Sequence, residues 1–154
     1  MPALEVDGKM LVQSYAILGY AGRLSGLHGA DSFGMAKVDE VLYTLQEIDT
    51  LLAPSGKESD PEKKKKLRQE LASGPISTLF GNLAKMQAAN GGDWMVGPTL
   101  TIADLAAYCK LNSFVRGAYD DIPKDILDGF PALMALYNRV EAQPKVKAWN
   151  DAHK

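Results

Sequence analysis

The chain has 154 residues, a length suited to one ordinary domain or to one domain with part of another. Hydrophobic residues make up 46% of the sequence and charged residues 23%, which predicts a buried core and disfavours disorder throughout. The net charge of −2 argues against nucleic acid as the main partner, because phosphate binding needs a concentrated basic surface. The one basic run, Lys63 to Lys66, has acids on both sides and indicates a solvated helix face.

Cysteine and histidine content narrows the chemistry further. Cys109 is the only cysteine, which excludes an internal disulfide and a Cys-based zinc cluster. His28 and His153 are too few and too scattered to predict a metal site. No segment approaches the ~18 consecutive apolar residues of a membrane span, and the first residues lack the pattern of a signal peptide. We therefore expect no metal, no membrane partner and a reducing, cytoplasmic setting.

The first predicted element is a β-hairpin. Two short strand-like runs, Ala3 to Val6 and Lys9 to Val12, flank Asp7-Gly8, a dipeptide suited to a two-residue type I′ turn. An isolated hairpin is marginal in water, so these strands need a sheet to join. No later segment of the sequence predicts a strand, so the sequence offers no further strand with which the hairpin could pair.

Helical patterns begin directly after the hairpin. Ser14 stands where a helix N-cap is expected, and apolar residues continue on one face as far as Leu24. A glycine-rich break follows at residues 26 to 29. Apolar positions between Val38 and Leu52 then predict a long amphipathic helix. Residues 54 to 60 are predicted as a polar connector.

The next helices have clear start and stop signals in the sequence. Asp60-Pro61 predicts a helix start, with a capping side chain followed by proline at the first helical position. Gly74-Pro75 predicts an interruption or a kink. The apolar stripe resumes at Ile76 and is predicted to stop at residues 90 to 92, Asn-Gly-Gly.

The strongest start signal lies later in the chain. Thr101 and Asp104 have the spacing of a capping box, with Asp in place of the commoner Glu. Shorter helical segments are predicted at 124 to 127, 131 to 142 and 146 to 149. The sequence therefore predicts a mostly α protein in which one β-hairpin precedes a helical bundle.

Three stretches of the chain resemble one known family. They are residues 1 to 17, residues 38 to 47, and residues 94 to 104, and residues 143 to 149 fit the family's usual ending. Together they resemble cytosolic glutathione transferases, most closely the sigma-like group. The resemblance implies a fold in which residues 1 to 25 form the end of a thioredoxin-like, glutathione-binding α/β domain. Residues 26 to 154 would then form the all-α C-terminal domain.

The same resemblance implies a glutathione site at the start of the chain. It gives Met1-Pro2 a cis peptide bond that leaves the Met1 backbone free to pair with the cysteinyl part of glutathione. It gives Gln13 and Ser14 contacts to the γ-glutamyl carboxylate, for which a helix N-terminus is a ready anion site. The alternative for Ser14 is a plain N-cap.

Two further residues have open interpretations. In the family, an acid on the first long helix reaches across a dimer interface to the γ-glutamyl ammonium, which implies that role for Glu47; the alternative is a solubilising surface acid. The prostaglandin-synthase branch has acids where Gln46 and Tyr43 stand, so a divalent-cation site between subunits is not expected. Cys109 is interpreted as a small core residue that could also line the electrophile pocket, whereas Thr101 and Asp104 are interpreted as structural.

The family's catalytic hydroxyl is not expected within this sequence. It belongs to a first β-α-β unit that the resemblance places before residue 1, and it stabilises the glutathione thiolate. Such a start could reflect a truncated gene model, an expressed fragment or a natural short form. We therefore expect no catalytic residue in these 154 residues and no activity from them alone.

Three functions remain open at this stage. The leading one is a glutathione transferase that conjugates glutathione, as co-substrate, to a small electrophile, or isomerises the electrophile, as a homodimer without a cofactor. The second is a crystallin-like structural protein with little activity. The third is a docking module that uses the same helical domain. The Gln13-Ser14 pair favours the first, because a docking module needs no γ-glutamyl site.

Overall fold

The computed structural model describes residues 2–153 as a helical bundle preceded by a hairpin. The predicted fold class is confirmed. No helix among the described residues is long and apolar enough to cross a membrane. The elements in chain order are β1 (Ala3–Val6), β2 (Lys9–Val12), α1 (Ser14–Ser25), α2 (Ser32–Lys57), α3 (Pro61–Leu71), a π-helical turn (Ala72–Ile76), α4 (Ser77–Ala89), α5 (Ile102–Val115), α6 (Pro131–Glu141) and α7 (Pro144–Ala152).

The hairpin has the predicted strands and turn. β1 and β2 pair antiparallel, with Leu4 opposite Leu11 and Val6 opposite Lys9. Asp7 and Gly8 have φ angles of 50° and 75°, as a type I′ turn requires at both central positions. Within residues 2–153 these two strands form the whole sheet, and they contact α1. The hairpin thus lies beside the bundle without contributing to its buried core.

The buried core belongs to the helices. α2 runs through its centre and contacts α3, α4 and α5. Its inward face is fully buried at Val38, Leu45 and Ile48. Opposite it, Phe80 of α4 packs edge-to-face on Phe114 of α5, with ring centroids 5.1 Å apart. The apolar patterns that predicted α2 and α4 therefore also identify the side of each helix that is buried.

The predicted connector at residues 54 to 60 is wrong in its first half. α2 continues through Pro54 to Lys57, so only residues 58 to 60 are outside a helix. Proline is accommodated near the end of this helix, where the Ser55 hydroxyl donates to the Leu52 carbonyl at 2.8 Å. Arg68 of α3 in turn donates to the Ser55 hydroxyl at 3.3 Å, and this bond ties the last turn of α2 to α3. Tertiary contacts thus support a helix end that the local sequence disfavours.

Two predicted helical segments in the C-terminal third also differ from the structure. The predicted helix at 124 to 127 is a series of turns, held by single bonds such as Asp128 N–H to the Asp125 carbonyl at 2.9 Å. Pro123 and Gly129 bracket this segment, and a run so short cannot propagate a helix. The predicted final turn at 146 to 149 is a nine-residue helix, α7.

The start of α5 joins the two parts of the molecule. The buried Asp104 carboxylate accepts hydrogen bonds from the Thr101 N–H at 2.7 Å, the Thr101 hydroxyl at 2.9 Å and the Met95 N–H at 2.6 Å. Burial raises the pKa of Asp104, and these bonds oppose the rise. Ile102, which follows Thr101, donates its N–H to the Leu27 carbonyl at 2.8 Å. This arrangement is a capping box that also fixes α5 against the segment following α1.

Candidate functional site

A large cleft lies between α1 and α2, with the end of β2 at its rim. Its volume is about 860 Å³, within the range of small-molecule sites. Polar and aromatic side chains from both helices line it, among them Gln13, Ser14, Tyr20, Tyr43 and Asp49. The predicted pair Gln13 and Ser14 therefore lines this cleft, and residues of the long helix α2 line it as well.

Ser14 is not an N-cap, contrary to the simplest interpretation of the sequence. α1 begins at Ser14 itself, and the cap position is Gln13, whose side chain makes no capping hydrogen bond. Gln13 has φ 76° and ψ 121°, a backbone conformation that residues other than glycine rarely adopt. Strain of this kind is characteristic of functional sites. No described side chain caps the N–H groups of the first turn, so they can bind an anion in the cleft.

The floor of the cleft is a polar cluster around a glycine of α1. A Cβ atom added at Gly19 would lie 3.1 Å from Arg23 Nη1 and 3.5 Å from His28 Nε2. His28 is 1% exposed, and its Nε2 lies 3.2 Å from Oδ1 of the half-exposed Asp39. Since Gly19, Arg23 and Asp39 all line the cleft, the buried imidazole lies directly behind its floor.

A second cavity, of about 380 Å³, adjoins the first on the other side of Tyr15. It lies between α1, α2 and α5, and Ser14, Tyr15 and Asp49 line both spaces. Its remaining lining residues are Leu18, Leu105, Ala106, Cys109, Lys110 and Ser113. Cys109 is exposed here, so its interpretation as a core residue is wrong: its position on α5 faces the cavity instead of the bundle.

The electrostatics of this second cavity centre on Tyr15. Burial and then the neighbouring Asp49 carboxylate raise the pKa of Tyr15 to about 12, so its hydroxyl stays protonated. Although part of Cys109 is exposed in the cavity, desolvation by the surrounding atoms raises the pKa of its thiol, and the Lys110 ammonium opposes that rise. Lys110 forms an ion pair with Asp49, and this pair bridges α5 and α2 at the edge of the cavity.

The other predicted site residues lie apart from this pair of spaces. Glu47 is exposed and lines a shallow depression with Pro75 and Leu79, on a different side of α2 from Gln13. Pro2 is exposed ahead of β1, whereas Met1, and with it the expected cis bond, lies outside the described residues. Glu47 therefore does not line the cleft that contains Gln13 of its own chain.

Several residues of the two spaces were not singled out from the sequence. Tyr15, Asp39 and Asp49 come from two helices, and local patterns do not predict which helix faces meet. One signal was present: residues 39, 42, 46, 49 and 53 recur at helical spacing on α2, and all five line the cleft. Among residues 2–153 there is no cluster of three or more metal-ligating side chains.

Comparisons with known proteins agree with one another. The family model described as "Glutathione S-transferase, C-terminal domain" matches residues 46–153. The chain is 32% identical to glutathione S-transferase 1 of Ascaris suum, over 97% of this chain and 71% of that protein. Its identity to hematopoietic prostaglandin D synthase of Gallus gallus is 33%, over 97% and 70%. Its identity to S-crystallin 4 of Enteroctopus dofleini is 29%, over 97% and 73%.

Solved structures give the same result. The glutathione S-transferase from Ascaris lumbricoides superimposes with a TM-score of 0.87 at 31% identity. That match covers all of this chain and 74% of the other. The hairpin is therefore included in the structural likeness, together with the helical bundle.

Proposed function

The chain belongs to the glutathione S-transferase family, and we propose that its protein binds glutathione in the cleft between α1 and α2 and transfers it to small electrophiles. Glutathione-dependent isomerisation is the alternative reaction at the same site, since both reactions need a bound, nucleophilic sulfur. The observation that carries the proposal is the start of α1. There a hydroxyl and uncapped N–H groups face a cleft of about 860 Å³.

The start of α1 suits one end of glutathione. The γ-glutamyl carboxylate is an anion, and a helix N-terminus offers it unpaired N–H groups and a partial positive charge. The Ser14 hydroxyl can donate a further hydrogen bond, because it is not used to cap the helix. Gln13 contributes an amide donor beside it. The Met1 backbone beside Pro2 would pair with the cysteinyl part.

The thiolate needs a partner that we do not assign to these 154 residues. We propose that a hydroxyl in a preceding β-α-β unit stabilises it, and that residues 1 to 25 complete the same thioredoxin-like domain. The hairpin supports this idea, since both of its edges are free within the described residues and an isolated hairpin is marginal. The 154 residues alone would then give no conjugation above background.

A homodimer of sigma-like class completes the proposal. α2 would lie at a twofold interface, and Glu47 of each subunit would contact the γ-glutamyl ammonium bound by the other. Support comes from the exposed aromatic Tyr43 on α2, whose side chain is 64% exposed. The single cysteine fits a reducing, cytoplasmic location.

Glutathione binding to the variant Ser14→Ala tests the site. With the preceding unit present, calorimetry should show affinity reduced by about 10-fold, which corresponds to one lost hydrogen bond to a charged group. Ser25→Ala is the matched control, because Ser25 lies at the other end of α1 and bonds the Ala21 carbonyl at 2.9 Å. Equal binding by both variants would remove Ser14 from the site. Rapid conjugation by residues 1 to 154 alone would show that the thiol-activating group had been misplaced.

A second candidate is favoured by one comparison. S-crystallin 4 of Enteroctopus dofleini matches nearly the whole chain, so a structural protein with little activity is the alternative. The two functions separate at the first step. A protein that retains the fold but shows no heat of binding with millimolar glutathione would favour the crystallin-like function.

A further inference from the structure

The connection between α4 and α5, residues 90 to 101, begins with a chemically labile dipeptide. Asn90 is the C-cap of α4 and Gly91 follows it, and no other asparagine in the sequence is followed by glycine. Glycine has no Cβ to hinder its backbone nitrogen from approaching the side chain before it. Gly91 is exposed with φ 101°, and nothing lies within 4 Å of its Cβ position. The backbone nitrogen of Gly91 is therefore placed beside a side-chain amide that it can attack.

Water has access to this dipeptide. Asn90 lines an open cavity of about 350 Å³ between the loop that precedes α2 and the loop that precedes α5. Asp31 and Lys37 line the same space from the α2 side. The cavity shares no lining residue with the glutathione cleft or with the second cavity beside Tyr15. It is therefore a separate place on the molecule.

Two hydrogen bonds engage the groups that would react. The Asn90 Nδ2 donates to the Met95 carbonyl at 2.6 Å, and the Gly91 N–H donates to the Ala88 carbonyl at 3.2 Å. The Met95 N–H is in turn bound by the buried carboxylate of Asp104 at 2.6 Å. Attack by Gly91 on the side chain of Asn90 would break the first two bonds. Reaction therefore requires the connection to open locally.

The contacts that oppose this opening lie near the surface. Arg139 of α6 donates from Nη2 to Asp93 Oδ1 at 2.9 Å, and its guanidinium carbon lies 5.6 Å from the centroid of the Trp94 ring. Asp93 is exposed, and ion pairs at exposed sites stabilise weakly. The Gln87 side chain adds a bond from Nε2 to the Gly92 carbonyl at 2.8 Å. Opening of this segment should therefore cost far less than unfolding of the bundle.

We propose that Asn90 is a site of spontaneous deamidation, that local opening of the connection controls its rate, and that the product weakens the attachment of α4 to α5. The modification is independent of glutathione, because none of the groups involved lines the glutathione cleft.

The reaction needs only water. The Gly91 backbone nitrogen loses its proton to water or hydroxide and forms a bond to Cγ of Asn90. The bond between Cγ and Nδ2 breaks, and this nitrogen leaves as ammonia, so that a cyclic succinimide remains. Water then opens the ring at either carbonyl and gives aspartate or isoaspartate. The net reaction consumes one water, releases one ammonia and leaves a new carboxylate.

A carboxylate is unfavourable at this position for two reasons. It replaces the Nδ2 donor of Asn90 by an oxygen, so that the Met95 carbonyl loses its partner. It also places negative charge at the C-terminus of α4, which the helix dipole disfavours. Because the Met95 N–H is one of the three donors to Asp104, the loss of order should extend to the start of α5.

Peptide mapping by mass spectrometry, during incubation of the 154-residue chain at neutral pH, tests the site. Conversion at Asn90 should be measurable and slower by about 10-fold or more than in a free peptide of residues 86 to 95, because the closed connection protects it. Labelling by an isoaspartyl methyltransferase should identify isoaspartate at the same position. Asn82 is the internal control: it is exposed in α4, is followed by Leu83, and should remain an amide.

A substitution outside the dipeptide tests control by local opening. Arg139→Met removes the contact with Asp93 and should raise the rate of deamidation by about 2- to 5-fold, as expected for the loss of a partly exposed ion pair. Arg116→Met is the matched control, because Arg116 lines a different cavity, and the rate should be unchanged in it.

A mimic of the product tests the structural consequence. Asn90→Asp should raise the equilibrium constant for unfolding by about 10-fold, because a buried hydrogen bond is lost and charge is added. Asn82→Asp adds the same charge at an exposed position of α4 and should change that constant by less than about 3-fold.

Each part of the proposal has an outcome that overturns it. If Asn90 remained an amide after the free peptide had converted, in both the unsubstituted chain and Arg139→Met, it would not be a modification site. Equal rates in the folded chain and the peptide would overturn control by local opening. Unfolding left unchanged by Asn90→Asp would overturn the weakening of the connection. Loss of the proposed transferase function would affect none of these measurements.

Discussion

Strand β2 and helix α2 both carry several apolar side chains, but those of α2 are buried whereas two of those of β2 are exposed. In α2, Val38 and Leu45 are fully buried by α3, α4 and α5. In β2, Met10 is 63% exposed and Val12 is 40% exposed. The bundle encloses its own core, whereas the hairpin presents apolar surface that the described residues do not cover. Stability should therefore be concentrated in the bundle, and the hairpin should tolerate change.

The bundle core should show the largest effect. Phe80 is completely buried, and its ring packs edge-to-face on Phe114 and Phe130 at 5.1 and 5.6 Å. Phe80→Ala should lower the free energy of unfolding by about 3–5 kcal/mol, because it removes apolar contacts and leaves a cavity. Denaturant unfolding followed by circular dichroism measures this. The control is Phe33→Ala, at a side chain that is 76% exposed, and a similar cost there would contradict the comparison.

The start of α5 should rank next. Asp104→Asn retains the size of the side chain but has one acceptor oxygen where three donors converge. Each buried group left unpaired costs roughly 1–3 kcal/mol. Thr101→Ala should cost less, about 0.5–2 kcal/mol, and Thr101→Ser should cost little because it keeps the hydroxyl. Unfolding curves that do not move for Asp104→Asn would remove the capping box as a source of stability.

The contact between α1 and α5 should give an intermediate effect. A Cβ atom at Gly22 would lie 2.8 Å from two side-chain atoms of Ile102, so Gly22→Ala should cost about 1–3 kcal/mol through overpacking. Ile102→Val in the same chain should recover part of that loss. Gly56→Ala is the matched control, because nothing lies within 4 Å of its Cβ position. Because Gly56 is helical, Gly56→Ala should raise the free energy of unfolding of the protein by about 0.5–1 kcal/mol.

A smaller effect is expected at high pH. Burial and Asp49 raise the pKa of Tyr15 from 10.0 to about 12, so the folded protein holds this proton to higher pH than the unfolded chain. The free energy of unfolding should therefore fall as pH rises from 10 towards 12. Tyr15→Phe should remove that part of the decline. Spectroscopic titration of tyrosinate should show one fewer late-titrating group in the variant, and an identical titration would contradict the assignment.

The hairpin should show the smallest effect. Met10→Ala should change the free energy of unfolding by no more than about 0.5 kcal/mol, as is usual at exposed sites. The measurement should be made at two protein concentrations. A cost above about 1 kcal/mol that grows with concentration would mean that a second copy covers the hairpin.

Local signals in the sequence were sufficient for much of this fold. Asp7-Gly8 specifies its turn because both residues tolerate positive φ, and Asp60 caps the α3 N-terminus by accepting from the N–H groups of Glu62 and Lys63. Each of these features depends on residues within a few positions of one another. Gln13 and Ser14 were identified through resemblance, and the structure places them in one cleft.

Only the tertiary structure decided the features that join distant residues. The Lys110–Asp49 pair spans 61 positions, and Arg139 of α6 lies 2.9 Å from the Asp93 carboxylate, 46 positions away. Pro54 lies inside α2, and Arg68 of α3 donates a hydrogen bond to Ser55 in the same turn. The second cavity likewise depends on which faces of α1, α2 and α5 meet. Periodicity specifies which side of a helix is buried, but packing among helices decides which polar residues meet at its edge.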